Sequence, residues 1–291
     1  MDRRTPISPS LGESFLHCER IAKKHYENFP VASLAVPRNL RPYVWAVYAF
    51  ARAADDFADE GAGTPAERLQ ALDSWEKQLD DALAGRPGGP VFVALAETVA
   101  QTSIPVQLLR DLLTAFRMDV TTSRHQTFDD LLGYCRCSAN PVGRLVLHLF
   151  SAASASTVDR SDDLCTALQL TNFWQDIALD LQKDRVYLPL DDLRRFGYTE
   201  TDLRAPAIDA RFRGLMKFEV DRTRALFLRG RPLVGMVRGR LRCELDLIWR
   251  GGVAILDAIE RSGYDVFRSR PVVGRADRLR ILAAAIASGR P

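Results

Sequence analysis

The chain has 291 residues, 47% hydrophobic and 26% charged, enough to bury a sizeable core as one large domain or two small ones. A net charge of +3 is too weak a bias to argue for nucleic acid. The five cysteines are odd in number and mostly sit in apolar surroundings, which fits reduced thiols rather than a disulfide framework.

The N-terminus lacks the apolar core of a signal peptide, and no apolar run approaches the ~20 residues of a membrane span. A cytoplasmic location is therefore expected, with any lipid-like substrate met peripherally at the cytoplasmic face of a membrane. The Pro/Ser-rich first ten residues are expected to be disordered, and residues 11–291 to form a single all-α domain. β-branched alternation is nearly absent and helix-period patterning runs throughout.

The first helix is expected from Ser14 to about Tyr26. Asn28-Phe29-Pro30 and Pro37-Arg38-Asn39 break the pattern. A second helix then runs from Leu40 to about Glu60, stopped by Gly61 and Gly63. At about 100° per residue, Tyr48, Arg52, Asp55 and Asp59 fall on one face of it, and the remaining positions are largely small or apolar. Bare burial of such charges is costly, so they must be solvated, paired or metal-bound. Asp56 points about 100° away from Asp55.

Thr64-Pro65-Ala66-Glu67 is a helix start, with an N-cap, a Pro at the first position and an acid at N3. That helix is expected to reach about Leu83, followed by a loop at 85–90. Further helices are expected at about 91–102, 105–120 and 127–139. The next carries Pro141 inside or at its edge and continues to about Ala155. Another spans Ser161 to about Gln182.

On this last helix Gln169, Asn172, Asp176, Asp180 and Lys183 again share one face. If the two acidic faces met, four or more carboxylates would crowd one cavity and repel strongly. Mg²⁺ relieves such crowding, because it takes oxygen ligands and keeps waters that a diphosphate can replace. Arg52, Lys183 and Arg185 would neutralise that diphosphate. The spacing thus points to a metal-bridged diphosphate site lined by apolar side chains.

After an irregular stretch over 183–198 with one short helical turn, a helix is expected at about 208–229. Another at about 233–261 is interrupted at Gly251-Gly252, and a tail helix follows Pro271. The Arg-Gly-Arg patterns at Arg229–Arg231 and Arg238–Arg242 read as solvated faces or as contacts for phosphate or lipid headgroups.

Asp55-Asp56-Phe-Ala-Asp59 with Tyr48 and Arg52, and Gln169 with Asn172-Phe-Trp-Gln-Asp176-Ile-Ala-Leu-Asp180, resemble the paired motifs of the squalene/phytoene synthases. Tyr134-Cys135 with Val142-Gly143, and Arg185-Val-Tyr187-Leu-Pro189, resemble two further stretches of that family. The resemblance runs from about His17 to Pro271. It implies the isoprenoid-synthase helical bundle with a central apolar cavity, and Mg²⁺ as cofactor. The implied metal ligands are Asp55, Asp56, Asp59, Asn172, Asp176 and Asp180. The implied substrate contacts are Phe29, Tyr48, Arg52, Gln169, Lys183, Arg185 and Tyr187. Tyr134 and Asn140 join the four motif aspartates, Asp55, Asp59, Asp176 and Asp180, as catalytic candidates.

Within the family, His25-Tyr-Glu-Asn-Phe29-Pro30, Ser138-Ala-Asn140-Pro141 and Asn172-Phe-Trp-Gln-Asp176 resemble the bacterial hydroxysqualene synthases of hopanoid pathways. Ser138-Ala-Asn140 stands where the condensing enzymes carry Val-Ala-Gly, and Gln175 where they carry Arg. These departures imply ionisation of presqualene diphosphate and capture of water, rather than condensation of two farnesyl diphosphates. They also imply handover from a presqualene diphosphate synthase and to a hydroxysqualene reductase, with no nucleic-acid partner. Two other readings are a presqualene diphosphate, squalene or phytoene synthase, and a non-catalytic helical assembly protein. The assembly protein is expected to have eroded motifs.

Overall fold

Thirteen helices account for the regular structure among the described residues of the computed structural model, which are 10–24, 36–59 and 63–274 with 277 and 281. The chain divides into two compact units, one of residues 1–121 with 145–152 and one of residues 122–144 with 153–291.

In the first unit α1 is Leu11–Lys24, α2 Arg41–Asp59, α3 Pro65–Leu83, α4 Pro90–Thr102 and α5 Val106–Thr121. The start of α3 is the one read from sequence. Thr64 accepts from the Glu67 amide, and Glu67 reaches back to the Thr64 amide at 2.7 Å. The helix α2 packs against α1, α3, α4 and α5, burying Val44, Ala46, Ala49, Phe50, Ala54 and Ala58. Small residues let the neighbours approach, and aromatic rings fill the space beside them. Trp75 lies 4.4 Å from Phe92 and 5.5 Å from Phe57, centroid to centroid, and its indole donates to the Phe50 carbonyl at 3.3 Å.

The second unit is built on α8, Ala155–Gln182, with α6 Phe128–Ser138, α9 Leu190–Arg195, α10 Glu200–Arg204, α11 Ala210–Gly230, α12 Leu233–Met236 and α13 Gly239–Arg261. The helix α7, Asn140–Leu149, contributes residues to both units. Pro141 lies in its first turn, where a missing N–H leaves no hydrogen bond unmade.

The helix α8 packs against α6, α11, α12 and α13, so it is apolar on several sides. Trp174 is fully buried and donates to Thr223 Oγ1 of α11 at 2.8 Å. The glycine of Val142-Gly143 has a packing reason. A Cβ there would lie 2.5 Å from Cys165 Sγ of α8 and closer still to Ser161 Oγ.

Three boundaries differ from the sequence expectation. The helix α7 stops at Leu149 instead of near Ala155, and α8 begins at Ala155 instead of Ser161. Ser151 turns left-handed at φ 52°, and Ser154 and Thr157 cap each other reciprocally at the start of α8. The helix α13 runs unbroken through Gly251-Gly252, and the interruption falls instead at Val237-Arg238. The short α10 had no counterpart in the expectation. The expectations of a disordered N-terminal segment and of a tail helix after Pro271 fall almost wholly outside the described residues.

None of the five cysteines forms a disulfide. Burial pushes the Cys18 and Cys135 thiols up to about 12. No helix among the described residues is long and apolar enough to cross a membrane.

Candidate diphosphate site

In the first unit, Tyr48, Arg52, Asp55 and Asp59 share one face of α2, as the spacing requires. The side chain of Arg52 is only 17% exposed. Its Nη1 contacts Asp55 Oδ2 at 3.2 Å and its Nη2 contacts Asp56 Oδ1 at 2.5 Å, while both carboxylates stay 39% exposed. Arg52 thus draws Asp56 toward the stripe despite its angular offset. Burial raises the Tyr48 pKa, and the Arg52 charge opposes that shift. The end of α2 is held from α3, where Arg68 donates to the carbonyls of Ala58 at 2.9 Å and Gly63 at 3.3 Å. Asp59, the last residue of α2, is exposed.

In the second unit, Gln169, Asn172, Asp176 and Asp180 follow one face of α8. Asn172 is exposed, and Asp176 and Asp180 are half-buried. Arg270 grips Asp176 with both ends of its fork, Nε to Oδ1 at 2.5 Å and Nη2 to Oδ2 at 2.9 Å. Its Nη2 also donates to Gln175 Oε1 at 3.1 Å. The hydrogen bond to Asp176 holds the Arg270 pKa above the usual arginine value. Sequence reading missed Arg270 and Arg68, because neither lies near a motif.

Past Lys183 the chain turns at Asp184, φ 55°, and becomes a strap beside residues 123–126. Val186 N donates to Ser123 O at 2.9 Å, and Leu190 N to His125 O at 3.0 Å. Arg124 Nη2 and Arg204 Nη2 hold the Asp184 carboxylate at 2.9 and 2.5 Å. This strap carries Arg185 and Tyr187. Tyr187 stacks on Phe173 of α8 with centroids 3.8 Å apart and planes 10° apart. Tyr134 of α6 lies 6.1 Å from both rings.

His125 closes the group, 5.9 Å from Tyr187. Burial lowers its pKa, which favours the neutral imidazole. A cavity of only ≈ 10 Å³ lies beneath the strap, bounded in part by Phe173, Asp180, Arg185 and Tyr187. Asn140 is buried at the start of α7, where its Oδ1 accepts from Thr166 Oγ1 of α8 at 2.9 Å. Of the sequence candidates, Arg52, Asp55 and Asp56 are thus brought together, as are Tyr134 and Tyr187. Phe29 lies outside the described residues.

Residues 22–277 match the squalene/phytoene synthase family model. The chain belongs to the squalene/phytoene synthase family. A family member from Arthrospira platensis, phytoene synthase, is 34% identical over 93% of this chain and 91% of its own length. The 15-cis-phytoene synthase of Synechococcus elongatus is 33% identical over 91% and 89%. The crystal structure of squalene synthase HpnC from Alicyclobacillus acidocaldarius is 45% identical, with a TM-score of 0.83 over 87% of this chain and 95% of that one. A dehydrosqualene synthase solved with a ligand is 27% identical and has the same TM-score over 96% and 97%. The all-α architecture is therefore the isoprenoid-synthase fold of these relatives.

Members of this family act on prenyl diphosphates with a divalent metal. Both helices present hard oxygen donors, three motif carboxylates on α2 and two carboxylates with Asn172 on α8. Among the described residues no three His, Cys, Asp or Glu side chains gather at metal-binding distances. Mg²⁺ needs no such cage, since it commonly takes one or two carboxylates, waters and substrate phosphate. The donor sets fit that mode.

Proposed function

We propose that this protein is a hydroxysqualene synthase, converting presqualene diphosphate and water to hydroxysqualene and diphosphate in squalene and hopanoid biosynthesis. The observation that carries the squalene side of this reading is the 45% identity to the squalene synthase HpnC structure, against 34% to the phytoene synthase. Asn140 and Gln175, where the condensing branch is expected to carry Gly and Arg, point the same way. Residues 11–291 act as one catalytic domain, a reading supported by a family match that runs through both units.

Mg²⁺, when bound, supplies Lewis-acid stabilisation of the leaving diphosphate. Asp55, Asp56 and Asp59 of α2, and Asn172, Asp176 and Asp180 of α8, would serve as its ligands. Arg52, Lys183 and Arg185 counter the diphosphate charge, and Tyr48, Gln169, Tyr187 and Phe29 complete substrate binding. The C–O bond breaks and diphosphate leaves with the electron pair. The cyclopropylcarbinyl cation rearranges, and water adds to the allylic cation with loss of a proton. The Phe173–Tyr187 stack with Tyr134 offers aromatic faces to cationic carbon. Asn140, held by Thr166, positions the attacking water or shapes the cavity.

A C30 substrate and product imply peripheral contact with an anionic cytoplasmic membrane. Residues 222–243 hold seven arginines and no acid. Arg222 pairs with Asp192, Arg224 with Asp257, Arg229 with Asp163 and Arg231 with Asp246. Arg238, Arg240 and Arg242 are exposed, as is Met236. Handover from a presqualene diphosphate synthase and to a hydroxysqualene reductase follows from the same chemistry.

The phytoene synthase relatives favour a second reading, condensation of two prenyl diphosphates. Incubation with Mg²⁺ and each candidate diphosphate, followed by mass spectrometry of the extract, separates the two. The expected result is a C30 alcohol from presqualene diphosphate without NADPH. Efficient turnover of farnesyl or geranylgeranyl diphosphate alone rejects the first reading in favour of the second.

A further inference from the structure

Arg270 belongs to neither acidic stripe, yet it engages both oxygens of Asp176, at 2.5 and 2.9 Å. Its grip is anchored. The same guanidinium donates to Gln175 Oε1 at 3.1 Å, and Gln175 Nε2 donates back to the Pro271 carbonyl at 2.5 Å. Gln175 is buried, so residues 270–271 are tied to a rigid part of α8. A two-pronged arginine takes up the carboxylate lone pairs that a cation needs. Guanidinium and a divalent ion on one carboxylate also repel each other steeply at such range. The pair lies at the surface, with Arg270 49% and Asp176 23% exposed, which makes the exchange low in energy and reversible.

We propose that Arg270 and the divalent cation compete for Asp176, so that Arg270–Pro271 is a clasp that metal loading opens. This rests on the reading of Asp176 as a metal ligand. In the metal-free protein Arg270 is a positioning residue that holds the Asp176 carboxylate aimed through both of its oxygens. On loading, the carboxylate exchanges guanidinium for metal, and the 267–274 segment is released from α8.

The test is Mn²⁺ binding to the full chain without substrate, followed by water-proton relaxation. R270Q is expected to bind Mn²⁺ about fivefold more tightly than wild type, the size of effect a partly exposed ion pair supports. R270K keeps the charge but loses the fork, and falls between. D176N is expected to weaken Mn²⁺ binding and to cancel the R270Q gain in the double variant. Hydrogen exchange over residues 267–274 is expected to speed up when Mn²⁺ and inorganic pyrophosphate are added to wild type. Circular dichroism checks that every variant is folded. Equal Mn²⁺ affinity in R270Q and wild type, with D176N still weakened, overturns the clasp and leaves the metal reading standing. D176N without effect removes Asp176 as a ligand, and the clasp with it.

Discussion

Arg52 neutralises Asp55 and Asp56 from within the same helix, three and four residues away. Asp176 takes its arginine from 94 residues downstream. The two stripes share chemistry but differ in where their counter-charge comes from. A counter-charge in the same helix moves rigidly with its acids and is present whenever the helix is. One delivered by a distant segment can be withdrawn without disturbing the helix. Arg52 also contacts Asp55 and Asp56 by one prong each, whereas Arg270 commits both prongs to Asp176.

The largest expected effect tests whether the stripes are equivalent in chemistry. Asp55→Ala and Asp176→Ala are each expected to lower kcat/KM on the prenyl diphosphate substrate by at least ~10³-fold, since metal stabilisation of a leaving group is worth several kcal/mol. Far-UV circular dichroism is expected to stay helical for both. A variant that keeps a tenth of wild-type activity breaks the assignment of its stripe.

The next effect concerns the scaffold of the second stripe. A Cβ on Gly252 would lie 2.8 Å from Phe227 Cε1 and 2.9 Å from Leu168 Cδ2, the latter on α8 one residue before Gln169. Gly252→Ala is expected to destabilise the fold by about 2 kcal/mol through overpacking, read as a fall in Tm. An unchanged or raised Tm would mean that α13 does not press on α8 as described.

The stripes were legible because helix spacing is local information. Asp55 to Asp59 and Asp176 to Asp180 need only a 3.6-residue period to share a face. The α3 start was legible for the same reason, as Thr64-Pro65-x-Glu67 contains its own hydrogen-bond partners. The α8 start was not, because Ser154 and Thr157 cap each other without a carboxylate and sit among small residues. Gly251-Gly252 looked like a break because glycine weakens helices. Only the neighbouring Phe227 and Leu168 show why α13 needs Gly252. Arg270, Arg68 and the Tyr134–Phe173–Tyr187 group are tertiary contacts, so no spacing rule reaches them.

A third kind of carboxylate sharpens the contrast with the exposed stripes. Glu219 is fully buried on α11, paired at 2.5 Å with Arg222, which also holds Asp192 at 2.8 Å and lies 3.6 Å above the Phe128 ring. Burial pushes its pKa up to about 8, against the opposing Arg222 charge. A group whose folded pKa is raised binds its proton more tightly when folded. Its contribution is therefore full below the unfolded value of 4.5 and is lost as pH rises through about 8. Wild-type Tm is expected to fall by a few degrees between pH 6 and 8.5, and Glu219→Gln to flatten that slope. An equal slope in both proteins removes Glu219 as its source.

The smallest expected effect returns to α2. Arg68 from α3 donates to Ala58 O and Gly63 O, the first of them a carbonyl that the end of α2 leaves without a helical partner. Arg68→Ala is expected to cost about 1 kcal/mol, roughly 2 °C in Tm for a chain of this size. The loss should be local, with faster amide exchange over residues 55–59 and none added over α8. Arg68 thus does for the first stripe what Arg270 does for the second, but it grips backbone and leaves the carboxylates alone. Metal loading has no reason to displace it. Exchange over 55–59 should therefore not speed up when Mn²⁺ and pyrophosphate are added, while exchange over 267–274 does. Equal acceleration in both segments would erase the distinction between a fixed support and a clasp.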